Sequence, residues 1–504
     1  MQILRTSSIP GPQSWHGQGN ALTGLCCVAS ILFALGLWIL DNASAAISLS
    51  AITAAVSGFT AAWRFKRHGF DPLAVFCMGF SLYDGVLLFR LATVGEDTVL
   101  PYPVPFTKEA YASAGLLCVI AAGAVFLTAF GWEAVVEPLL NHRRAADRPH
   151  GTGMWFWSGF LMYAIGVVLY LLQFNQYGGY ISALAILRTD RFDLDAAAGL
   201  SYPYLAFVVP GIACMGYGSQ GKDAKGKKVA FYALVTLWCG LVLPQGDRRL
   251  ALQAVLSVMA VLSVFRPNLL KLRFRSWFFI AAAYLLMCAF GNIRFAIAVV
   301  ASGKSTASQV VEEIGSGWSN DFILPEHTEF AGPYLSLLSA VSDHTQYLYG
   351  SSYYESFLAV VPRFLYPGQK PSQLSNEFAS QMHQGGGSVA GWGYNPVAEA
   401  LVNFGPAGVA FLFVLWALFF LMIGSLRHRG VPGIILFSVL FSEAVNANRI
   451  DFANVYFESV HFLAGVVIAT MINALLVNLA RGSPVRLLRR EHRPPTQVTS
   501  GVLT

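Results

Sequence analysis

Six ionisable residues stand inside long apolar runs of the chain: Asp84, Arg90, Arg294, Glu443, Glu458 and His461. A charged side chain at a bilayer centre costs roughly 2.5–3.5 kcal/mol on insertion scales, so such residues are kept where they serve a purpose. Further charges flank the runs. Arg248 and Arg249 open one of them, and Arg449 and Asp451 lie in a short turn between the last two. Arginine's planar, permanently charged fork suits phosphate oxygens taken in pairs. Carboxylates and histidine suit the movement of a proton. Together these types allow an anionic group to be held beside a proton acceptor, in or near a membrane. A plainer alternative stands beside this one: Asp84 with Arg90, or Glu443 with Arg449, could simply neutralise each other. The seven cysteines (Cys26, Cys27, Cys77, Cys118, Cys214, Cys239 and Cys288) all fall in apolar runs, with no CxxC pair and no Cys/His zinc spacing. They are expected to pack as small hydrophobes, and neither disulfides nor metal ligation by thiolate is expected.

The apolar runs dominate the sequence. Of 504 residues, 55% are hydrophobic and 12% charged, and mean hydropathy is +0.54. A soluble domain carries roughly 25% charged residues. That excludes a disordered chain, a disulfide scaffold and an ordinary soluble enzyme, and leaves an all-α polytopic membrane protein. A span needs about 20 mostly apolar residues. Roughly twelve are predicted, at 21–40, 43–63, 72–91, 109–131, 154–173, 201–218, 229–243, 250–265, 277–300, 403–424, 432–447 and 454–477. Ala43-Ser44-Ala45 has the look of a signal cleavage site, but the first run exceeds the roughly 7–15 residues of a signal h-region, so an uncleaved anchor is expected.

Lysine and arginine orient the spans, because cytoplasmic loops carry their excess. With a cytoplasmic N-terminus every inner loop is basic, from Arg64, Lys66 and Arg67 through Lys222, Lys225, Lys227 and Lys228 to Arg427 and Arg429. Both termini are therefore predicted inside, and the net charge of +6 reflects topology. The tail arginines suit anionic lipid headgroups, and no partner nucleic acid is expected. The chain divides into a cytoplasmic N-terminus (1–20), nine spans (21–300) with an outer loop at about 174–200, a large outer loop (301–402), three spans (403–477) and a basic cytoplasmic tail (478–504). In this orientation the buried charges all fall in the outer halves of their spans. A channel or proton-coupled pump would carry them through the full depth. Internal repeats are lacking and the loops are lopsided, which counts against a two-halved secondary transporter.

The large loop carries apolar residues at helical spacing over 332–347 and 353–361, predicting amphipathic helices lying on or dipping into the membrane surface. Between Trp318 and Tyr394 it holds about fourteen aromatics, among them Tyr347, Tyr349, Tyr353, Tyr354, Tyr366 and Trp392. These suit an interfacial belt or stacking against sugar faces. The Gly385-Gly386-Gly387 run lacks a following Lys-Ser/Thr, so a lid hinge is expected there and not a phosphate cradle.

The stretch YGSSYYESFLAVVPRFLYPGQKPSQLSNEFA (349–379), followed by NPVAEALVNFGPAGV (395–409), resembles the Wzy-type O-antigen and exopolysaccharide repeat-unit polymerases. The shared features are Gly350, the Pro362-Arg363 step, the Pro367 to Pro371 turn with Lys370, and Glu399 before Asn403-Phe404-Gly405. The segment 246–249 (GDRR) is similar to the family's Gly-Ser-Arg entry, with Asp247 in place of the usual small residue. The segment 178–183 (GGYISA) looks like its Gly-Gly element, with Arg188 and Arg191 just beyond. The likeness runs over most of 150–480, and the first four spans are generic.

The resemblance implies a GT-C-like glycosyltransferase of the bacterial inner membrane with a helical periplasmic loop. It would join polyprenyl diphosphate-linked glycan repeats, as donor and acceptor, without a metal, beside a polysaccharide chain-length regulator. Negative charge grows on the leaving diphosphate, so preorganised cations stabilise the transition state. Arg248, Arg294 and Arg363 are nominated first, then Arg249, Arg188, Lys370 and Arg449. Glu399, His344 and His383 are candidates for the base, with Asp343 behind them. Tyr349, Tyr353, Tyr366 and Trp392 would meet sugars. An O-antigen ligase would use the same donor, and a lipid-linked oligosaccharide flippase is a more distant alternative.

Overall fold

A computed structural model describes residues 42–89, 106–137, 153–184, 203–221, 224–245, 248–266, 308–309, 331–343, 346–361, 374–375, 377–378 and 393–482. Among the described residues every regular element is helical. Seven helical stretches are long and apolar enough to cross a membrane: Ala45–His68, Pro72–Phe89, Lys108–Val136, Met154–Tyr177, Arg248–Phe265, Pro396–Leu426 and Phe452–Ala480. Leu205–Gly218 and Gly430–Asn446 are apolar but shorter. The run at 229–243 belongs to a helix whose first turn holds Lys225, Lys227 and Lys228. The runs at 21–40 and 277–300 lie outside the described residues.

We number the helices α1 (Asn42–His68), α2 (Pro72–Phe80), α3 (Lys108–Gly131), α4 (Gly153–Leu172), α5 (Tyr180–Leu184), α6 (Leu205–Gly218), α7 (Lys225–Val242), α8 (Arg248–Phe265), α9 (Ala331–Asp343), α10 (Ser351–Ala359), α11 (Pro396–Leu426), α12 (Gly430–Leu440), α13 (Glu443–Asn446) and α14 (Phe452–Gly482). Their outer surfaces are apolar where water-soluble helices would be charged. On α14, Leu463, Val467, Met471, Leu475 and Leu479 recur every four residues and are half to two-thirds exposed. Such a stripe is stable only against hydrocarbon, which makes this a multi-pass membrane protein.

Inside the bundle small residues set the distances. Gly159 of α4 and Gly211 of α6 face each other so closely that a Cβ on Gly159 would lie 2.5 Å from the Gly211 carbonyl oxygen. Without a hydrophobic driving force in lipid, this backbone approach is a main source of helix association. Pro72 opens α2 in the first turn, where its missing N–H is not needed, and Asp71 caps the helix by accepting the Ala74 N–H at 3.2 Å. A π turn at Ser81–Val86 then rewinds α2 and turns Tyr83 and Asp84 inward, and both are buried.

The loop helices sit differently from their sequence expectation. In α9, Tyr334, Leu335, Leu337 and Leu338 are wholly buried, packed into the same core as α3 and α11. This segment is part of the protein interior and does not lie on the membrane surface; its apolar face found helices before lipid. The helix α10 stays peripheral, with Tyr354 and Phe357 exposed and Ser356 buried.

Candidate functional site

The bundle has a buried polar network at each end. At one end, Arg64 of α1 donates to Asp71 through Nε and Nη2, each at 3.0 Å, and to Glu133 at 2.8 Å. Glu133 also meets Arg67 and His68, and Arg427 donates to the His68 carbonyl at 3.1 Å. Burial pushes the Asp71 carboxyl up, but Arg64 overrides it, and Asp71 stays below the ordinary carboxylate range. His68, Glu133 and Glu137 bring three potential metal-ligand atoms within 4.8 Å of one another. The guanidiniums already on Glu133 oppose a cation there, and the cluster reads as a closed, balanced staple.

The opposite end gathers Tyr83 and Asp84 of the π turn after α2, Arg248, Arg249 and Gln253 of α8, Glu399 of α11, Glu443 and Asn446 of α13, the turn Arg449–Asp451, and Glu458 of α14. Local chemistry positions each of them. In α11, Gly405 (φ 70°) breaks the helix, and Pro406 has no N–H for the Val402 carbonyl four residues earlier. The Leu348 N–H fills that vacancy at 2.8 Å, so the stretch before α10 is pinned to the break. Asn395 caps α11 by accepting the Val397 N–H at 2.7 Å. Its amide donates to Asp84 at 2.6 Å, and its backbone N–H donates to Ser336 of α9 at 2.9 Å.

Glu399 is 2% exposed, and its Oε2 accepts the Phe452 N–H at 2.7 Å. It therefore caps α14 from a neighbouring helix. Asp451, beside it, accepts from Ser375 and from Asn454. Asn403 donates to Ser352 at 2.7 Å, and Phe404 stacks on Tyr353 at 6.1 Å. The stretch 395–406 thus has a structural job at almost every polar position.

Of the arginines, Arg249 pairs with Glu458 at 2.9 Å. Arg449 hydrogen-bonds the Tyr83 hydroxyl, and Arg248 lies within electrostatic reach of the same phenol. Two guanidiniums thereby converge on a tyrosine that sequence reasoning did not single out. Its signal was faint: a Tyr-Asp pair in an apolar run, re-aimed by a π turn that no local pattern announces. The neutralising pair imagined between Glu443 and Arg449 is not formed. Arg449 turns to Tyr83, and the charges acting on Glu443 are Glu458 and Arg249. Asp84 is held by Asn395 and Cys118, and Arg90 lies outside the described residues.

Among the aromatics, Tyr349 is 82% exposed in a left-handed turn (φ 49°), while Tyr353 is half-buried between Phe404 and Phe452. Burial, then the nearness of Glu399, pushes the Tyr353 and Tyr394 hydroxyls well above their ordinary value, so both remain neutral donors. The 178–183 segment docks at the same end. Tyr180 donates to the Leu241 carbonyl at 2.6 Å, and Gln245 donates to the Tyr180 carbonyl at 3.1 Å. Arg188, Arg294, Arg363, Lys370, His344, His383, Tyr366 and Trp392 all lie outside the described residues. No family model, curated protein or solved structure matches the chain.

Proposed function

We propose that the protein polymerises polyprenyl diphosphate-linked oligosaccharide repeats at the outer face of a bacterial inner membrane. In this reading it is a GT-C-like, twelve-span glycosyltransferase with both termini cytoplasmic. The observation that carries the reading is convergence. The segments 178–183 and 248–249, the 346–358 stretch and the 395–405 stretch are distant in sequence but meet at one end of the bundle. Arg248 and Arg449 meet there at Tyr83, and Tyr349 and Tyr354 are exposed on the 346–358 stretch. The opposite end carries Arg64, Arg67, Lys225, Lys227, Lys228, Arg427 and Arg429, a basic rim that suits the cytoplasmic side.

The donor diphosphate would lie against Arg248 and Arg449, with Tyr83 holding Arg449 in place. Arg294, Arg363, Arg188 and Lys370 would complete its cradle, and Arg249 would join it on leaving Glu458. Tyr349 and Tyr353 would face sugars. Attack by the acceptor hydroxyl forms the new C1–O bond while the C1–O–phosphate bond breaks, and the hydroxyl proton passes to a base. Glu399 is the proposed base, releasing the Phe452 N–H to do so, with His344 and His383 the other candidates. A chain-length regulator would act on the same complex.

The test is the length distribution of lipid-linked and surface glycan in a deletion strain, with and without the restored gene. Single repeats that become a ladder on restoration are expected. Long lipid-linked chains that never reach their acceptor would mean a ligase, and repeats trapped on the cytoplasmic face would mean a flippase. Either result overturns the proposal.

A further inference from the structure

Glu443 and Glu458 come from α13 and α14 and are both fully buried, at 0% and 1% exposure. Asn446 joins them, hydrogen-bonding Glu443 and donating to Glu458 at 3.3 Å. Glu458 is further held by Arg249 at 2.9 Å and by the amide of Gln253. The charged groups acting on Glu443 from the surrounding helices are Glu458 of α14 and Arg249 of α8. Two carboxyls therefore share one guanidinium. The Glu443 Oε1 meets Ser442 at 3.3 Å, but its Oε2 has no hydrogen-bond partner among the described residues. Gln253, 1% exposed, gives its nitrogen to Glu458 and leaves its Oε1 without a partner at the same place. An orphaned carboxylate oxygen in a water-poor interior is costly unless a donor or a counter-charge is supplied. A metal cation would stand close to the Arg249 guanidinium and be repelled by it. A proton meets no such objection: protonating Glu443 removes the second negative charge that shares the Arg249 guanidinium.

We infer that Glu443 and Glu458 form a proton-binding site, with Glu443 as its resident acid, coupled through Arg249 to an anion at the same end of the bundle. The inference rests on the anion-binding reading above. When a diphosphate draws Arg249 away, Glu458 loses its counter-charge and takes a proton from solvent, becoming the neutral acid. When the anion leaves, Arg249 returns and that proton is released. Arg249 is thus available to substrate without stranding a buried carboxylate.

Two measurements on the purified full-length protein test this. Infrared spectra at neutral pH should contain a carboxylic-acid carbonyl band that Glu443→Gln removes. Arg249→Met should add such a band, because Glu458 has then lost its cation. An unchanged spectrum in Glu443→Gln overturns the resident proton, and no new band in Arg249→Met overturns its partner's response. Calorimetric titration with inorganic pyrophosphate, in two buffers of different ionisation enthalpy, counts protons taken up. Wild type should take up roughly one proton more per pyrophosphate than Glu458→Gln. Equal uptake overturns the coupling while the anion site stands. If wild type binds no pyrophosphate, the anion site falls and the coupling with it, whereas the Glu443 band still decides the resident proton.

Discussion

Glu399→Gln separates the two tasks that the position of Glu399 allows. The side chain is almost wholly buried, and its Oε2 holds the Phe452 N–H at 2.7 Å, with Asp451 close by. Glutamine offers an amide oxygen in nearly the same place, so the cap on α14 persists. A hydrogen bond to a charged acceptor is worth about 1.5–3 kcal/mol and one to a neutral acceptor roughly half that. Removing one of two adjacent carboxylates returns part of the difference. The net change in stability should be about 1 kcal/mol or less, within a few degrees in Tm. Glu399→Ala differs, because the Phe452 N–H is left without its acceptor at a cost of about 1–3 kcal/mol. A general base contributes about 10²–10⁴ in rate, so chain extension by the glutamine variant should fall by that factor while its melting curve stays put. The assay pairs thermal melting of purified protein with the glycan ladder in the deletion strain. A glutamine variant that folds and extends chains at the wild-type rate refutes the proton-transfer role. Glu399 would then be a helix cap only, and the base would pass to His344 or His383.

Arg64→Met strands Asp71, while Glu133 keeps Arg67 and His68, and should cost about 3–5 kcal/mol, the usual penalty for breaking a buried pair from one side, read as a large fall in Tm. Because Arg64 holds Asp71 below its ordinary range, the stability it confers is complete above an unfolded value of about 3.9 and is lost as pH drops through the lower folded value. Melting should therefore weaken below about pH 4 on this account, and Asp71→Asn should remove that acid limb. Gly465→Ala gains about 1 kcal/mol of helix propensity. Its new Cβ would nevertheless fall 2.1 Å from the Ala206 carbonyl oxygen and 2.6 Å from the Pro210 ring, so α14 must move off α6 and a lower Tm is expected. Arg363→Ala should abolish chain extension at unchanged protein level, with Arg363→Lys recovering little; full extension in the alanine variant removes Arg363 from the site.

Much of the helix inventory was legible because hydropathy in a bilayer is a one-dimensional signal. Ten of the predicted runs coincide with described helices; the starts at Asp71 and Thr107 fall within a residue of the prediction, and the Asn395 cap begins its helix seven residues earlier. Which charges meet was not legible. Arg64, Asp71 and Glu133 look like loop charges in sequence, yet they close into a buried staple because α3 ends in a π turn that swings Glu133 inward. Periodicity also misplaced α9, since an apolar face at helical spacing does not say whether lipid or another helix will cover it. The 395–406 stretch was read for chemistry, but cap, bracing amide, helix break and proline each answer a backbone need created there. Those roles come from contacts between segments far apart in sequence, and no local pattern encodes them.

The two buried networks differ in a way that bears on function. At the Arg64 end, cations and carboxylates balance, with Asp71 and Glu133 answered by Arg64 and Arg67. At the other end, Asp84, Glu399, Glu443, Asp451 and Glu458 are all buried, against half-buried Arg248, Arg249 and Arg449 among the described residues. Ionised together, five carboxylates would repel a diphosphate more strongly than three guanidiniums could hold it. An anion site there requires that some of those carboxyls be neutral, or that further arginines from outside the described residues arrive with the substrate. The orphaned oxygen of Glu443 locates one such neutral acid independently of any substrate argument. The protonation of Glu443 and the binding of a diphosphate therefore stand as one electrostatic account, in which the proton makes room for the anion.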